Sequence, residues 1–220
     1  FSENLLYSNY LPMYYYTPIV KNELKKDELS KNNIYSCPQT LFKIHPDFDD
    51  VLGSILKEDK NAILYFIKDS NNTWYKKLIT RFKKNKNLDL NRIKFMDGLS
   101  WEGYINHCGQ ASVLLDPLYF SAGNSFYESM FYGTPTVTKP TKYTKSRLVL
   151  GAYNQMEIQD APIAPVVDKI NDYVETAVTI ANNKNLYDLK KYYNEKAKEK
   201  LFENKSVIND LEKIFIKLVG

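Results

Sequence analysis

The sequence predicts an α/β fold: a Rossmann-like parallel sheet with helices on both faces, followed by a set of C-terminal helices. Two observations carry this expectation. From Asn33 onward, short runs rich in β-branched and aromatic residues alternate with amphipathic stretches, which is the pattern of successive βαβ units. One of these runs, Ala62–Ile67, is apolar almost throughout, as suits a central parallel strand covered on both sides.

Taken in order, strands are expected at Ile34–Cys37, Ala62–Ile67, Arg92–Phe95, Ser112–Leu115, Thr136–Thr138 and Ala164–Val167. Helices are expected between them at Asp47–Lys57, Thr73–Lys84, Ser100–His107, Asn124–Tyr132 and Lys142–Tyr153. Beyond Asp168 the pattern turns wholly helical. Val207, Ile208, Leu211, Ile214, Phe215 and Leu218 recur at three- and four-residue spacing, one stripe of an amphipathic helix. That helix, over 206–218, either packs on this domain or crosses to another. Residues 1–32 are different in kind. Pro12 and Pro18 oppose a helix through the aromatic stretch Tyr10–Pro18, and Lys21–Lys31 reads as an exposed charged linker. A domain boundary is therefore expected near residue 32.

Bulk properties narrow the function classes. At 220 residues, 44% apolar and 25% charged, the chain suits a globular domain with a full core. A net charge of +4 is mild, and the lysines are spread along the chain. The densest cluster, Arg81–Lys86, falls at a helix end, where cations are favoured and solvated; no nucleic-acid partner is indicated. Cys37 and Cys108 lie far apart without a CxxC pair, so neither a disulfide framework nor a zinc site is suggested. No apolar stretch approaches the ~18 residues of a membrane span. The opening Phe1-Ser-Glu-Asn reads as a cut within a longer chain, and the expected setting is cytoplasmic. The absence of GxGxxG after the first strand and of a Walker lysine motif argues against a dehydrogenase and a P-loop NTPase.

Chemistry in such a sheet belongs beyond the carboxyl ends of the strands. Two turns there carry suitable residues. After the first strand come Gln39 and Lys43, an amide and a cation able to hold a phosphate; His45, before Pro46 and Asp47, reads as part of a helix start. After the fourth strand, small residues Ser121, Ala122 and Gly123 permit close approach of an anion, and Asn124 and Ser125 open a helix whose free N–H groups favour phosphate. Glu128, one turn on, could accept hydrogen bonds from ribose hydroxyls. Equally, Ser125 and Glu128 match a capping box. Gly133-Thr-Pro135 marks the end of that helix.

In order along the chain stand Tyr35-Ser-Cys-Pro-Gln-Thr-Leu-Phe-Lys-Ile-His-Pro-Asp-Phe-Asp49, Asn91-Arg-Ile-Lys-Phe95, Val113-Leu-Leu-Asp-Pro117, Gly123-Asn-Ser-Phe-Tyr-Glu128 and Gly133-Thr-Pro-Thr-Val-Thr138. Over roughly residues 33–158, this series resembles the C-terminal domain of O-GlcNAc transferase-like glycosyltransferases. The resemblance implies a GT-B enzyme, in which two Rossmann-like domains face each other across a cleft. Residues 33–220 would then be its nucleotide-sugar-binding domain, and 1–32 the end of the preceding N-terminal domain plus linker. It implies a UDP-sugar donor (UDP-GlcNAc or UDP-glucose), no metal, and inverting transfer of a hexose or N-acetylhexosamine, with protein side chains as acceptors.

By position, the resemblance puts Lys43 at the departing UDP as the catalytic cation, with Gln39 beside it. Gly123, Asn124 and Ser125 would bind phosphate oxygens, and Glu128 the ribose, where the animal enzyme has Asp. The backbone of Leu99 and the ring of Tyr104 would take the uracil, with Trp101 in a place where some members carry Lys. The missing partners would be the N-terminal GT-B domain, possibly with helical repeats, which leaves this chain an incomplete catalytic unit. The alternative is a degenerate GT-B half that serves as a non-catalytic binding or scaffold module; an unrelated flavodoxin-like or regulatory α/β domain is a further one.

Overall fold

A computed structural model describes residues 6–21, 24 and 33–219. Most of the predicted charged linker at Lys21–Lys31 lies outside the described residues. Five strands, β1 (Asn33–Cys37), β2 (Ala62–Ile67), β3 (Ile93–Met96), β4 (Val113–Leu115) and β5 (Thr136–Val137), form one parallel sheet in the order β3-β2-β1-β4-β5. Tyr35 on β1 pairs with Leu64 on one side and Val113 on the other, so β1 is the centre of the sheet. The chain steps outward from β1 to β3, then returns to add β4 and β5 on the opposite edge. The reversal falls between β1 and β4.

Helices α1 (Asp47–Glu58), α2 (Thr73–Phe82), α3 (Trp101–Gln110) and α4 (Asn124–Ser129) follow the first four strands, and α5 (Leu148–Met156) comes after β5. Three more, α6 (Ile170–Ala181), α7 (Leu186–Lys200) and α8 (Lys205–Val219), complete the described chain. Most of the core lies on one face, where Phe48, Val51, Leu52 and Ile55 of α1 are fully buried with Tyr35, Leu64, Phe66 and Tyr173. The other face is thinner: Ile34 and Leu114 meet Cys108 and Ala111, with Tyr65 and Tyr104 half-covered beside them. Side chains of β2 accordingly alternate between buried and half-buried. The aromatic stretch of 10–18 forms no helix, as Pro12 and Pro18 predict. It lies across the C-terminal helices as a strap, with Tyr15 bridging Phe202 in parallel.

Several expectations need correction. The sixth strand, Ala164–Val167, reduces to one bridge between Thr138 and Val166, because Pro165 has no N–H to extend a ladder. The helix expected from Lys142 begins at Leu148, after a 3-10 turn at Thr144–Ser146. The helix from Asn124 stops at Ser129, after which Phe131, Tyr132 and Gly133 donate to carbonyls three residues back. Arg81 is not a solvated helix end: its guanidinium makes two bonds of 2.8 Å to the buried Asp49 carboxylate and one to the Ile44 carbonyl, tying α2 to α1.

Two positions lock α7 against the sheet domain. Gly133 has φ +66°, the left-handed helix end expected from Gly-Thr-Pro, and the carbonyl of Lys190 presses against it. The Lys190 ammonium is buried and donates to the carbonyls of Gly109 (2.7 Å) and Ala111 (2.5 Å), at the C-terminal end of α3. Burial pushes this lysine down to about 7 from its ordinary 10.5. Between those values the unfolded chain holds a proton that the folded chain has released. Stability therefore rises with pH across that window, and the penalty is fully present below it. Burial raises both thiols, Cys37 and Cys108, so they oppose this trend only from about their ordinary value of 9 upward. The urea midpoint should thus rise from pH 7 to pH 9 more steeply in the wild type than in Lys190→Met, which keeps only the contribution of the likewise lowered Lys43. A level wild-type midpoint would show that the ammonium stays charged on those carbonyls.

Candidate functional site

The reversal of strand order opens a crevice at the carboxyl ends of β1 and β4, where ligands bind in open α/β sheets. Both turns singled out in the sequence meet there. After β1 a 3-10 turn, Leu41–Lys43, is anchored by the buried Leu41 and turns the Lys43 side chain back across the crevice. Lys43 Nζ donates to Gln39 Oε1 (3.0 Å) and to the Ser121 carbonyl (3.2 Å), and lies 4.5 Å from the centre of the Phe120 ring. Burial draws its pKa down, and the nearby Asp116 carboxylate pulls the other way. Gln39 Nε2 in turn donates to Ser125 Oγ at 2.7 Å. Lys43, Gln39 and Ser125 therefore form one hydrogen-bonded row that joins the two turns.

The second turn is shaped by Asp116, at the end of β4. Its buried carboxylate accepts from Ser121 Oγ, the Ala122 N–H and Thr138 Oγ1, each at 2.7 Å. Burial raises its pKa above the usual carboxylate range despite these bonds. Ser121 Oγ accepts from the Val149 N–H, so the loop is tied to the first turn of α5 as well. The chain then enters α4 at Gly123. A Cβ built there would meet only Leu148 Cδ1, at 3.8 Å, which leaves open space above the backbone. Asn124 is exposed beside it. The capping box does not form. Gly123 is the N-cap, no side chain caps the helix, and Ser125 is engaged by Gln39 instead.

Glu128 is held from two directions. Its Oε1 accepts from Trp101 Nε1 at 3.0 Å and from the Tyr15 hydroxyl at 3.2 Å. Trp101 opens α3, whose N-cap Ser100 accepts from the Gly103 N–H. Leu99, just ahead of that cap, exposes 40% of its surface. Tyr104 packs its half-buried ring on the Ile34–Cys108–Leu114 cluster. Its buried hydroxyl lies near Cys108 and Ser125 but makes no hydrogen bond among the described residues. Of the residues expected at phosphate, Lys43, Gln39 and Ser125 are thus bonded to one another, with Gly123 and Asn124 opening α4 beside them. Of those expected at ribose and base, Glu128 bonds to Trp101 at the start of α3, Leu99 is exposed just ahead of it, and Tyr104 packs into the core cluster.

Three features escaped sequence reasoning: Tyr15 on Glu128, Asp116 as organiser of the loop, and Lys190 at the end of α3. His45 Nδ1 accepts from the Asp47 N–H, in line with its reading as part of a helix start. His107 is paired with Ser36 Oγ at 2.7 Å inside the thin face, and burial lowers it to about 4. Among the described residues no three His, Cys, Asp or Glu side chains converge to hold a metal ion. No described helix is long and apolar enough to cross a membrane.

A parallel sheet whose crevice is bounded by a lysine-bearing turn and a glycine-led helix is one Rossmann-like half of the GT-B architecture. The chain belongs to glycosyl transferase family 41, whose family model matches residues 17–211. Among solved structures it is similar to a mutant O-GlcNAc transferase of Thermobaculum terrenum. The TM-score is 0.77 at 16% identity, covering 91% of this chain and 38% of that one. The pneumococcal O-GlcNAc transferase GtfA, solved with UDP and GlcNAc, matches at TM-score 0.58 and 13% identity, over 91% of this chain and 38% of that one. Anabaena HepE, solved with UDP and glucose, matches at 0.59 and 12%, over 89% and 53%. No curated protein matches the chain in sequence. The chain spans well under half the length of the two O-GlcNAc transferases.

Proposed function

We propose that this chain is the donor-binding half of a UDP-sugar-dependent glycosyltransferase. The observation that carries this reading is the Lys43–Gln39–Ser125 row, which spans the β1/β4 crevice in a chain of family 41. In support, one cation and two hydrogen-bonding side chains lie together in that crevice, the groups a diphosphate would need. In the reaction, an acceptor oxygen attacks the anomeric carbon of the sugar. The bond from that carbon to the β-phosphate oxygen breaks, and UDP leaves with the electron pair. Lys43 stabilises the charge that develops on that oxygen. Because α4 has only six residues, its dipole adds little, and the lysine carries most of this burden.

Gln39, Gly123, Asn124 and Ser125 are assigned to the phosphates, Glu128 to the ribose diol, and the Leu99 backbone and Tyr104 to the uracil. The sugar is a hexose or N-acetylhexosamine, in keeping with the glucose and GlcNAc in the two related complexes. Transfer is inverting and metal-independent, and protein side chains are the acceptors. The acceptor-binding groups and the base belong to an N-terminal GT-B domain. Residues 1–32 lead in from that domain, and α8 crosses back to it. The exposed apolar side chains at the end of α8 fit such a role, for Phe215, Ile216 and Leu218 each expose more than half of their surface.

Calorimetric titration of the folded chain tests the reading. UDP should bind saturably and more tightly than ADP, and Glu128→Ala should weaken UDP. A folded chain that takes up neither nucleotide would favour the alternative of a non-catalytic scaffold.

A further inference from the structure

The Glu128 carboxylate is held by groups from two other parts of the chain. Tyr15 comes from the strap, 113 positions away, and Trp101 from the start of α3. Both donors land on the same oxygen, Oε1. Neither contact is incidental to a floppy side chain. The Tyr15 ring stacks on Tyr127 with centroids 4.9 Å apart and an interplanar angle of 26°. Its carbonyl accepts from the Glu203 N–H at 2.8 Å, and its backbone bridges Phe202. Trp101, 48% exposed, opens α3 beside a capped helix start. Burial and the neighbouring Glu128 push the Tyr15 hydroxyl up to about 12, so it stays a proton donor throughout the working pH range.

We propose that Tyr15 and Trp101 are positioning residues. By anchoring Oε1 of Glu128, they set the rotamer that presents the carboxylate to the ribose hydroxyls of the nucleotide. The inference rests on the donor-site reading above. A carboxylate on a glutamate stem has three rotatable bonds, and two fixed donors remove most of that freedom before ligand arrives. The strap thereby becomes part of the nucleotide site, although it lies outside the sheet domain in sequence. The chemistry selected is a vicinal diol, and the phosphates and base are read elsewhere.

The test pairs two ligands with two near-isosteric variants of the 220-residue chain. Tyr15→Phe keeps the stacked ring and loses the hydroxyl; Trp101→Phe keeps a ring and loses the N–H. UDP and 2′,3′-dideoxy-UDP are titrated into each, with matched thermal melts as the control for folding. The wild type should prefer UDP. Each variant should lose roughly tenfold in UDP affinity while its affinity for the dideoxy nucleotide is unchanged, so that the preference shrinks. Variants that weaken both ligands equally would mark a merely structural role and overturn the proposal. Variants that keep the full preference for UDP would overturn it too, with the donor site intact. A wild type that binds neither ligand would remove both this proposal and the reading beneath it.

Discussion

Lys43→Ala is expected to lower the affinity of this chain for UDP by about 10- to 100-fold, the worth of one charge-assisted bond to a phosphate in a partly buried site. In an assembled two-domain enzyme the same change should cut the transfer rate by about 100- to 1,000-fold, because charge on the leaving oxygen is greatest in the transition state. The row in which the lysine sits gives the prediction its shape. Nζ already spans Gln39 and the Ser121 carbonyl, so the cation is placed before ligand arrives and little is spent on ordering it. Lys43→Arg should rescue poorly, since a planar fork cannot reproduce two bonds made by a compact ammonium over the Phe120 ring. Gln39→Ala should cost less than Lys43→Ala, as it removes a neutral partner. Titrations of all three against UDP would check the ranking. Equal losses for Lys43→Ala and Gln39→Ala would show that the row matters through its geometry and not through its charge.

The second large effect is on stability. Gly133→Ala should destabilise the chain by about 3 kcal/mol or more, seen as a fall of roughly 6–12 °C in Tm. Two terms combine. The position has φ +66°, a conformation that costs an L side chain about 1–2 kcal/mol. In addition, a Cβ there would sit 1.9 Å from the Lys190 carbonyl and 2.5 Å from the Asn194 nitrogen, both backbone atoms of α7 that cannot rotate away. To relieve the overlap α7 must move, and with it the Lys190 bonds to α3 and the Asn194 amide, which donates to the Phe131 carbonyl. Gly98→Ala is the matched control. A Cβ there meets nothing within 4 Å, and its Tm should barely change. Comparable melting of the two variants would mean that α7 is seated more loosely than the contact implies.

Local pattern and long-range contact divide what could be read from the sequence. The β-α alternation, the apolar run at Ala62–Ile67 and the stop at Gly133 are local signals, and they placed β2 residue for residue and the other strands within about two residues. The two turns at the carboxyl ends of β1 and β4 were legible for the same reason, since each lies within one stretch of chain. Missed features depend on contacts that no window of sequence contains. Arg81 looked like a helix-end cation because its partner Asp49 lies 32 positions away. Lys190 carries no local signal, since the carbonyls it reaches lie about 80 positions back. The failure of Ala164–Val167 as a strand had a local cue in Pro162 and Pro165, outweighed by its run of β-branched residues.

The strap is fastened at points very distant along the chain. Ser8 and Asn9 bond to the carboxylate of Asp210, about 200 positions away, Leu11 bonds to Gln155, and Tyr15 meets Glu128 and Glu203. Each contact returns only about 1 kcal/mol or a little more, while the strap has no sheet ladder to share the cost of order. It is thus expected to open at lower free energy than the sheet, and hydrogen exchange should find its amides exchanging sooner than those of β1 and β4. Because Tyr15 rides on the strap, the Glu128 end of the crevice, proposed for ribose, should open with it more readily than the Lys43–Gln39–Ser125 end, which is built on the sheet. A nucleotide that grips both ends would act as a clasp, shifting the population toward the seated strap by the binding free energy it gains there.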